Sequence, residues 1–415
     1  TEMLCTLIHT QNSRPDLYDK FHRSTRGKLC FNDGVLFMRN NTFLTWEDVD
    51  KLPEEEQVYS TIKINRAFKP FYDKYRSGDT SAISQVDTAI FENGYGDKRQ
   101  TALQFLSRAI AGHCEDKRWG TYMGNRDCGK SIEYGLLKNA LGPYVEAFDL
   151  NNMLYINKTE RVVAMGEVSR MLAWTLDLEF ARLAVSQEIP NPSTKKVING
   201  ILLKKLTGGS DIHRARRNYD KADTVFKTAA TFYIKGNNSV RTDTADCMET
   251  CVEFASVYQF KRPDDIEYLI KQEMESRECS RKEAEDKLRN FYRVADDKIG
   301  EKIESIEWCN AVIYLLSEYY SQTHQLGKVV VRQEDDDDGD DEEMTSLRRT
   351  LESTFEFTYN PEHKLLATSV FSTMYAHCQD KKKITRELEA MGCTRKRDKS
   401  SGSTRDKFIF TGMKE

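Results

Sequence analysis

The 415-residue chain has no run of about 20 apolar residues, the length a membrane-crossing helix needs. No charged-then-apolar leader opens it, and together these absences predict a soluble intracellular protein without a membrane partner. Ten cysteines are present, but none forms a C-x-x-C pair or stands near histidines at zinc spacing, which argues against a zinc site and predicts reduced thiols. Cys247 and Cys251 are four apart, the spacing of one helical face, and read as small buried side chains rather than metal ligands. The seven histidines are too dispersed for triad or metal chemistry, and only His213, inside a basic segment, invites a nucleic-acid contact. No paired-carboxylate nuclease pattern is present. The chain opens on Thr rather than Met, which predicts a processed protein or a piece of a longer polypeptide.

Charge is unevenly spread. Glu334 to Glu343 holds nine acids in ten positions, and with these set aside the formal −4 becomes +5. Like charges repel and nothing in the tract is fit for burial, so 334–345 reads as a disordered solvated linker, with a docking or DNA-mimic role as the rival. A mildly basic body with one acidic ribbon suits a nucleic-acid-binding protein.

Gly124-Asn125-Arg126-Asp127-Cys128-Gly129-Lys130-Ser131 fits the phosphate-loop pattern and follows a short apolar run, Thr121 to Met123. The chemistry needs those residue types. Glycines let backbone N–H groups face phosphates, Lys130 reaches the terminal phosphates, and the Ser131 hydroxyl holds Mg²⁺. The helix expected over 132–141, stopped by Gly142-Pro143, points its positive end at the same anion. Cys128 lies where a lysine and a helix terminus favour a reactive thiolate.

The chain length predicts several domains. Residues 1–95 are mixed and aromatic-rich, with turn signals at Asn32-Asp33-Gly34 and Asn40-Asn41, and read as a small α+β or helical accessory and oligomerisation domain. Over 96–262, strand-like runs near 182–186 and 231–234 alternate with helical patterns such as 101–113, which favours a three-layer α/β domain with a mainly parallel sheet. Residues 263–333 turn helical and charged, with a capping box at Ser280–Glu283 and an amphipathic run from Trp308 to Tyr320. Residues 346–415 read as helix 361–378, helix 383–391, a strand, a Ser/Gly loop and a strand 407–410, the outline of a winged helix. Arg395, Lys396 and Arg397 there meet phosphates or belong to a solvated basic hairpin.

Beyond the loop come an apolar strand ending at Gln187-Glu188, the segment Leu202-Leu203-Lys204-Lys205-Leu206-Thr207-Gly208-Gly209 with a basic run from His213 to Tyr219, and a strand ending at Asn237. This order resembles superfamily 3 helicases, and within them the helicase portion of primase-helicases of poxvirus-type large nucleocytoplasmic DNA viruses. The resemblance runs over 96–260 and continues more loosely at both ends. It implies an AAA+-type ATPase in a homo-hexameric ring that draws single-stranded DNA through its centre and opens forked duplex. The setting it implies is viral replication in host cytoplasm or nucleus, with replication proteins and an upstream primase domain as partners.

On that resemblance Lys130 and Ser131 bind ATP-Mg²⁺, Glu188 is the acid of the second motif and a metal-orienting group, and Asn237 places the attacking water. Lys204, Lys205, His213, Arg214, Arg216, Arg217 and Lys221 are the expected DNA contacts in the pore, gripping the backbone without reading sequence. Two departures stand out. Gln187 replaces the first of the usual two acids, and Glu249 falls where an arginine finger is expected, leaving Arg241 as the substitute. The rival readings are an ATP-binding DNA scaffold or loader ring with little hydrolysis, a packaging motor and a small-molecule kinase.

Overall fold

The computed structural model describes residues 15–156, 169–188, 196–209, 211–220, 222–237, 240, 242–243, 245–277 and 279–324, and further on 351, 355–357, 364–374, 384–385, 388, 393–397, 408–411 and 413–414. The acidic tract, Lys221, Arg241 and the Ser/Gly loop at 400–403 lie outside the described residues. The chain divides into two compact units, Thr1–Val331 and Arg332–Glu415.

Near the start, strands Lys28–Cys30, Gly34–Phe37 and Thr42–Thr45 form an antiparallel meander. Its two turns fall where Asn32-Asp33-Gly34 and Asn40-Asn41 signal them, with Asn41 at φ 48°. Next comes helix α1 (Arg99–Ile110), which buries Ala102, Leu103, Phe105, Leu106, Ala109 and Ile110 at helical spacing.

The centre of the first unit is a five-stranded sheet. Its strands are β1 (Trp119–Met123), β2 (Val145–Ala147), β3 (Leu183–Ser186), β4 (Thr231–Gly236) and β5 (Cys251–Ala255). They pair in the order β5-β1-β4-β3-β2, and every pairing is parallel. Side chains alternate across it with period two. Tyr122, Leu183, Val185, Tyr233, Val252 and Phe254 enter one core cluster, while Trp119, Ala184, Phe232, Ile234 and Cys251 enter another. The first face is covered by α1 and α2 (Lys130–Leu141), and the second by α3 (Gly200–Thr207) through Leu203 and Leu206. The chain is therefore α/β with a parallel sheet between helical layers, the architecture in which both faces of each strand are apolar.

One cluster runs from Leu29 to Tyr320, across the boundaries expected at residues 95 and 262. Two arginines fasten these segments. Arg182 is buried and donates to the carbonyls of Thr25, Lys28 and Ile110 at 2.7–2.8 Å, with its guanidinium over the Tyr144 ring. Arg66 donates to Asn310 Oδ1 at 2.8 Å and to the carbonyl of Asn139 near the end of α2.

Several expectations are corrected. Helix α4 (Ile306–Thr323) is not amphipathic: Trp308 to Ser317 are all buried, so it runs through the core, where Asn310 Oδ1 accepts from Arg66 and the Ser317 hydroxyl donates to Asn41 Oδ1. Cys247 and Cys251 do not share a helix, because helix Ala245–Met248 ends between them and Cys251 opens β5; both are nevertheless buried. The capping box at Ser280 and Glu283 is present as expected.

In the second unit, strand Lys364–Leu366 stands where a helix from 361 was expected, and the helix begins only at Ala367. Phe408–Thr411 pairs with both Lys364–Leu366 and Thr394–Arg397 in an antiparallel sheet. Arg395, Lys396 and Arg397 lie on that last strand. Among the described residues, no helix is long and apolar enough to cross a membrane.

Candidate functional site

The loop at 124–129, expected to bind phosphate, leaves β1 at the carboxyl edge of the sheet. The Gly124 N–H donates to the carbonyl of Gly236 at 3.1 Å, so the loop starts beside the end of β4. A Cβ on Gly124 would stand 2.7 Å from both Cys128 Sγ and Ser256 Cβ, because the loop doubles back on itself there. Asp127 and Gly129 take positive φ, 63° and 85°, and turn the chain into α2. From outside, the Phe260 N–H donates to the Asp127 carbonyl at 2.7 Å and Gln259 Nε2 to that of Arg126 at 2.9 Å.

Lys130 Nζ sits over the loop's own acceptors, 2.6 Å from Gly124 O, 2.8 Å from Asn125 O and 3.0 Å from Cys128 Sγ. Ser131 follows, exposed on the first turn of α2, where free N–H groups and the helix dipole favour an anion. The Cys128 side chain is buried against these groups. A cavity of about 560 Å³ opens beside the loop, lined by Cys128, Gly129 and Ile132 on one side and by Ile90, Phe260 and Val294 on the other.

Register brings the other expected residues to the same edge. Gly236 lies beside Met123 and Ile234 beside Ser186, so Asn237 and the pair Gln187 and Glu188 emerge at the level of the loop. All three are exposed. Because β4 separates β1 from β3, Asn237 stands between the loop and Glu188. Glu188 and Gln187 line a second cavity of about 530 Å³ with Asp149, whose carboxylate accepts the Asn151 N–H at 2.8 Å. Asp149, a polar residue just past β2, is an acid near Gln187 that motif reading missed; its signal was its place after the short run from Val145 to Phe148.

A second missed group lies beneath the loop. Lys235 on β4 and Glu133 on α2 form a buried ion pair at 3.0 Å. Tyr95 donates its hydroxyl to Glu133 Oε1 at 2.7 Å and lies 2.7 Å from the Tyr233 hydroxyl. Burial pushes the Lys235 amine down while Glu133 pulls it back up, and burial holds both phenols well above their ordinary range.

Helix α3, carrying Lys204 and Lys205, is capped by Asn199 Oδ1 and by Asp243, which accepts the Gly200 N–H at 2.7 Å. The glycine pair that ends it has a packing reason. Gly209 has φ 63°, and a Cβ there would meet Cys114 Sγ at 2.2 Å. Gly209→Ala is expected to cost about 2–3 kcal/mol of stability through strain and overpacking, read as a lower urea midpoint with an unchanged slope.

Strands His213–Ala215 and Thr224–Phe226 then make an antiparallel hairpin. The expected DNA contacts differ here in solvent access and pairing. His213 is buried against the Phe226 ring at 5.7 Å, not presented to solvent, because it alternates inward on its strand. Lys204 pairs with Asp246, Arg216 with Asp223 at 3.5 Å and Arg217 with Asp177 at 2.7 Å. Lys205 and Arg214 are exposed.

Burial holds the His213 pKa below 6.5, with Asp211 opposing and Lys205 adding to the shift. The unfolded chain therefore takes up a proton near pH 6.5 that the native state resists, and stability is fully present above that pH and lost as pH falls through the native pKa. Between pH 7.5 and 5.5 the wild type is expected to lose more thermal stability than His213→Gln, read as the difference in their melting temperatures.

No protein-family model matches the chain, and no curated protein matches it. Among solved structures it is similar to the apo C-terminal region of NrS-1, at 11% identity and a TM-score of 0.34, over 94% of this chain and 97% of that one. A further apo structure of that region aligns at 12% identity and a TM-score of 0.31, over 95% and 98%. A JCV helicase with a bound small molecule aligns over 47% of this chain and 51% of that one, at 14% identity and a TM-score of 0.29.

Proposed function

We propose that the chain is an ATP-driven DNA motor of superfamily 3 helicase type that moves on single-stranded DNA and opens duplex. The observation that carries this reading is the register of the parallel sheet, in which the phosphate loop, Asn237 and Glu188 emerge side by side at one edge. Nucleotides bind α/β sheets at such carboxyl edges.

ATP is the substrate. Its phosphates face the loop N–H groups and the Lys130 amine, and its nucleoside takes the cavity beside Ile132 and Phe260, whose lining also carries Lys261, Arg262, Asp265 and Asp296. The exposed Ser131 hydroxyl and the Glu188 carboxylate would hold a Mg²⁺ ion, which would supply charge neutralisation at the terminal phosphates. Glu188 polarises the attacking water, Asn237 orients it, and Arg241 of a neighbouring copy in a hexameric ring completes the charge stabilisation. Lys205 and Arg214 grip the DNA backbone first; Lys204, Arg216 and Arg217 join by exchanging their intramolecular acids for phosphates. Arg395, Lys396 and Arg397 give a further DNA contact in the second unit.

A second reading, an ATP-binding scaffold or loader ring with little turnover, is favoured by Gln187 in place of an acid and by the internal pairing of those three basic residues. One experiment separates the two. Phosphate release is measured with and without single-stranded DNA, alongside unwinding of a forked duplex. Turnover stimulated by DNA together with strand separation supports the motor; ATP and DNA binding without turnover supports the scaffold.

A further inference from the structure

Lys235 is the sole charged residue of β4, and it is fully buried. Its Nζ reaches Glu133 at 3.0 Å and the carbonyl oxygen of Lys130 at 3.3 Å. The rings of Tyr233 and Tyr122 lie 5.1 and 5.7 Å away, and Tyr95 holds the other carboxylate oxygen of Glu133. Stability alone is a weak reason for such a pair, since apolar isosteres of buried ion pairs are often as stable or more so. Its location is a better one. It ties the first turn of α2, the main chain of the phosphate-loop lysine and the strand that ends at Gly236, one residue before Asn237.

We propose that Lys235 is a positioning residue for the terminal phosphate of the nucleotide: with Glu133 it pins the main chain at Lys130 and so sets where the Lys130 amine reaches. This rests on the nucleotide-binding reading above. To meet a phosphate, the amine swings off Gly124 O and Asn125 O about the Lys130 Cα, and a fixed pivot makes the swing end in one place. The γ-phosphate is the farthest group it serves, so a loosened pivot harms ATP binding more than ADP binding.

Equilibrium binding of MgATP and MgADP to the full chain tests this, by competition with a fluorescent nucleotide, for wild type and Lys235→Met well below each melting temperature. The MgATP Kd is expected to rise about tenfold or more and that of MgADP by under about threefold. Unchanged affinities in a folded Lys235→Met overturn the proposal, as does an equal loss for both nucleotides, the mark of general loosening. Absence of MgATP binding by the wild type overturns the nucleotide reading itself, and the proposal with it. Should Lys235→Met fail to fold because Glu133 is left buried without its partner, the double variant Glu133→Gln/Lys235→Met, which leaves no unpaired charge, is measured against the same expectations.

Discussion

Lys130→Ala is expected to lower nucleotide affinity about a hundredfold or more and to abolish turnover while leaving the fold intact. The ammonium lies over the loop, held at 2.6 and 2.8 Å by loop carbonyls that a phosphate would outcompete. Charge-assisted hydrogen bonds contribute about 1.5–3 kcal/mol each, and two of them correspond to two or more powers of ten in Kd. The fold survives because Lys130 opens α2, where Ala is a good helix former, and because the contact to Lys235 uses the main-chain carbonyl. Titration calorimetry with MgATP and a melting curve check both halves. Affinity within about threefold of wild type would remove the loop from the mechanism.

Glu188→Gln is expected to separate binding from chemistry. The side chain is exposed past the end of β3 and two strands from the loop, so MgATP affinity should stay within about threefold, while turnover falls about 10²–10⁴-fold with the loss of a carboxylate that polarises water. Single-turnover phosphate release measures this. The outcome also bears on Gln187. A small effect would direct attention to Asp149, the acid that shares a cavity with Glu188, as the base.

The parts of the fold legible in the sequence are those whose causes lie within a few residues. The turn from strand into helix at 124–130 was marked by glycine spacing, and its helix stops at Gly142-Pro143 as the pattern requires. Turn residues marked both bends of the early meander, and Ser280 with Glu283 marked a capping box. Where local cues compete with packing, they misled. Trp308–Tyr320 scans as amphipathic because Asn310 and Ser317 are polar, yet their partners Arg66 and Asn41 are more than 240 residues away in sequence. Lys364–Leu366 has no strong local preference, and pairing with Phe408–Thr411 decides its state.

By itself, then, the sequence determined a glycine-bounded loop between a strand and a helix, the alternation of strands and helices, and the residue types available for anion chemistry, since backbone sterics, capping and side-chain periodicity act over one or two turns. Only the tertiary structure decided which of those residues meet. The order β5-β1-β4-β3-β2 inserts Asn237 between the loop and Glu188, joins Lys235 to Glu133 beneath Lys130, and turns His213 inward. Strand order and solvent access depend on how distant apolar faces cover one another, a global balance of burial against desolvation that no short window of residues contains.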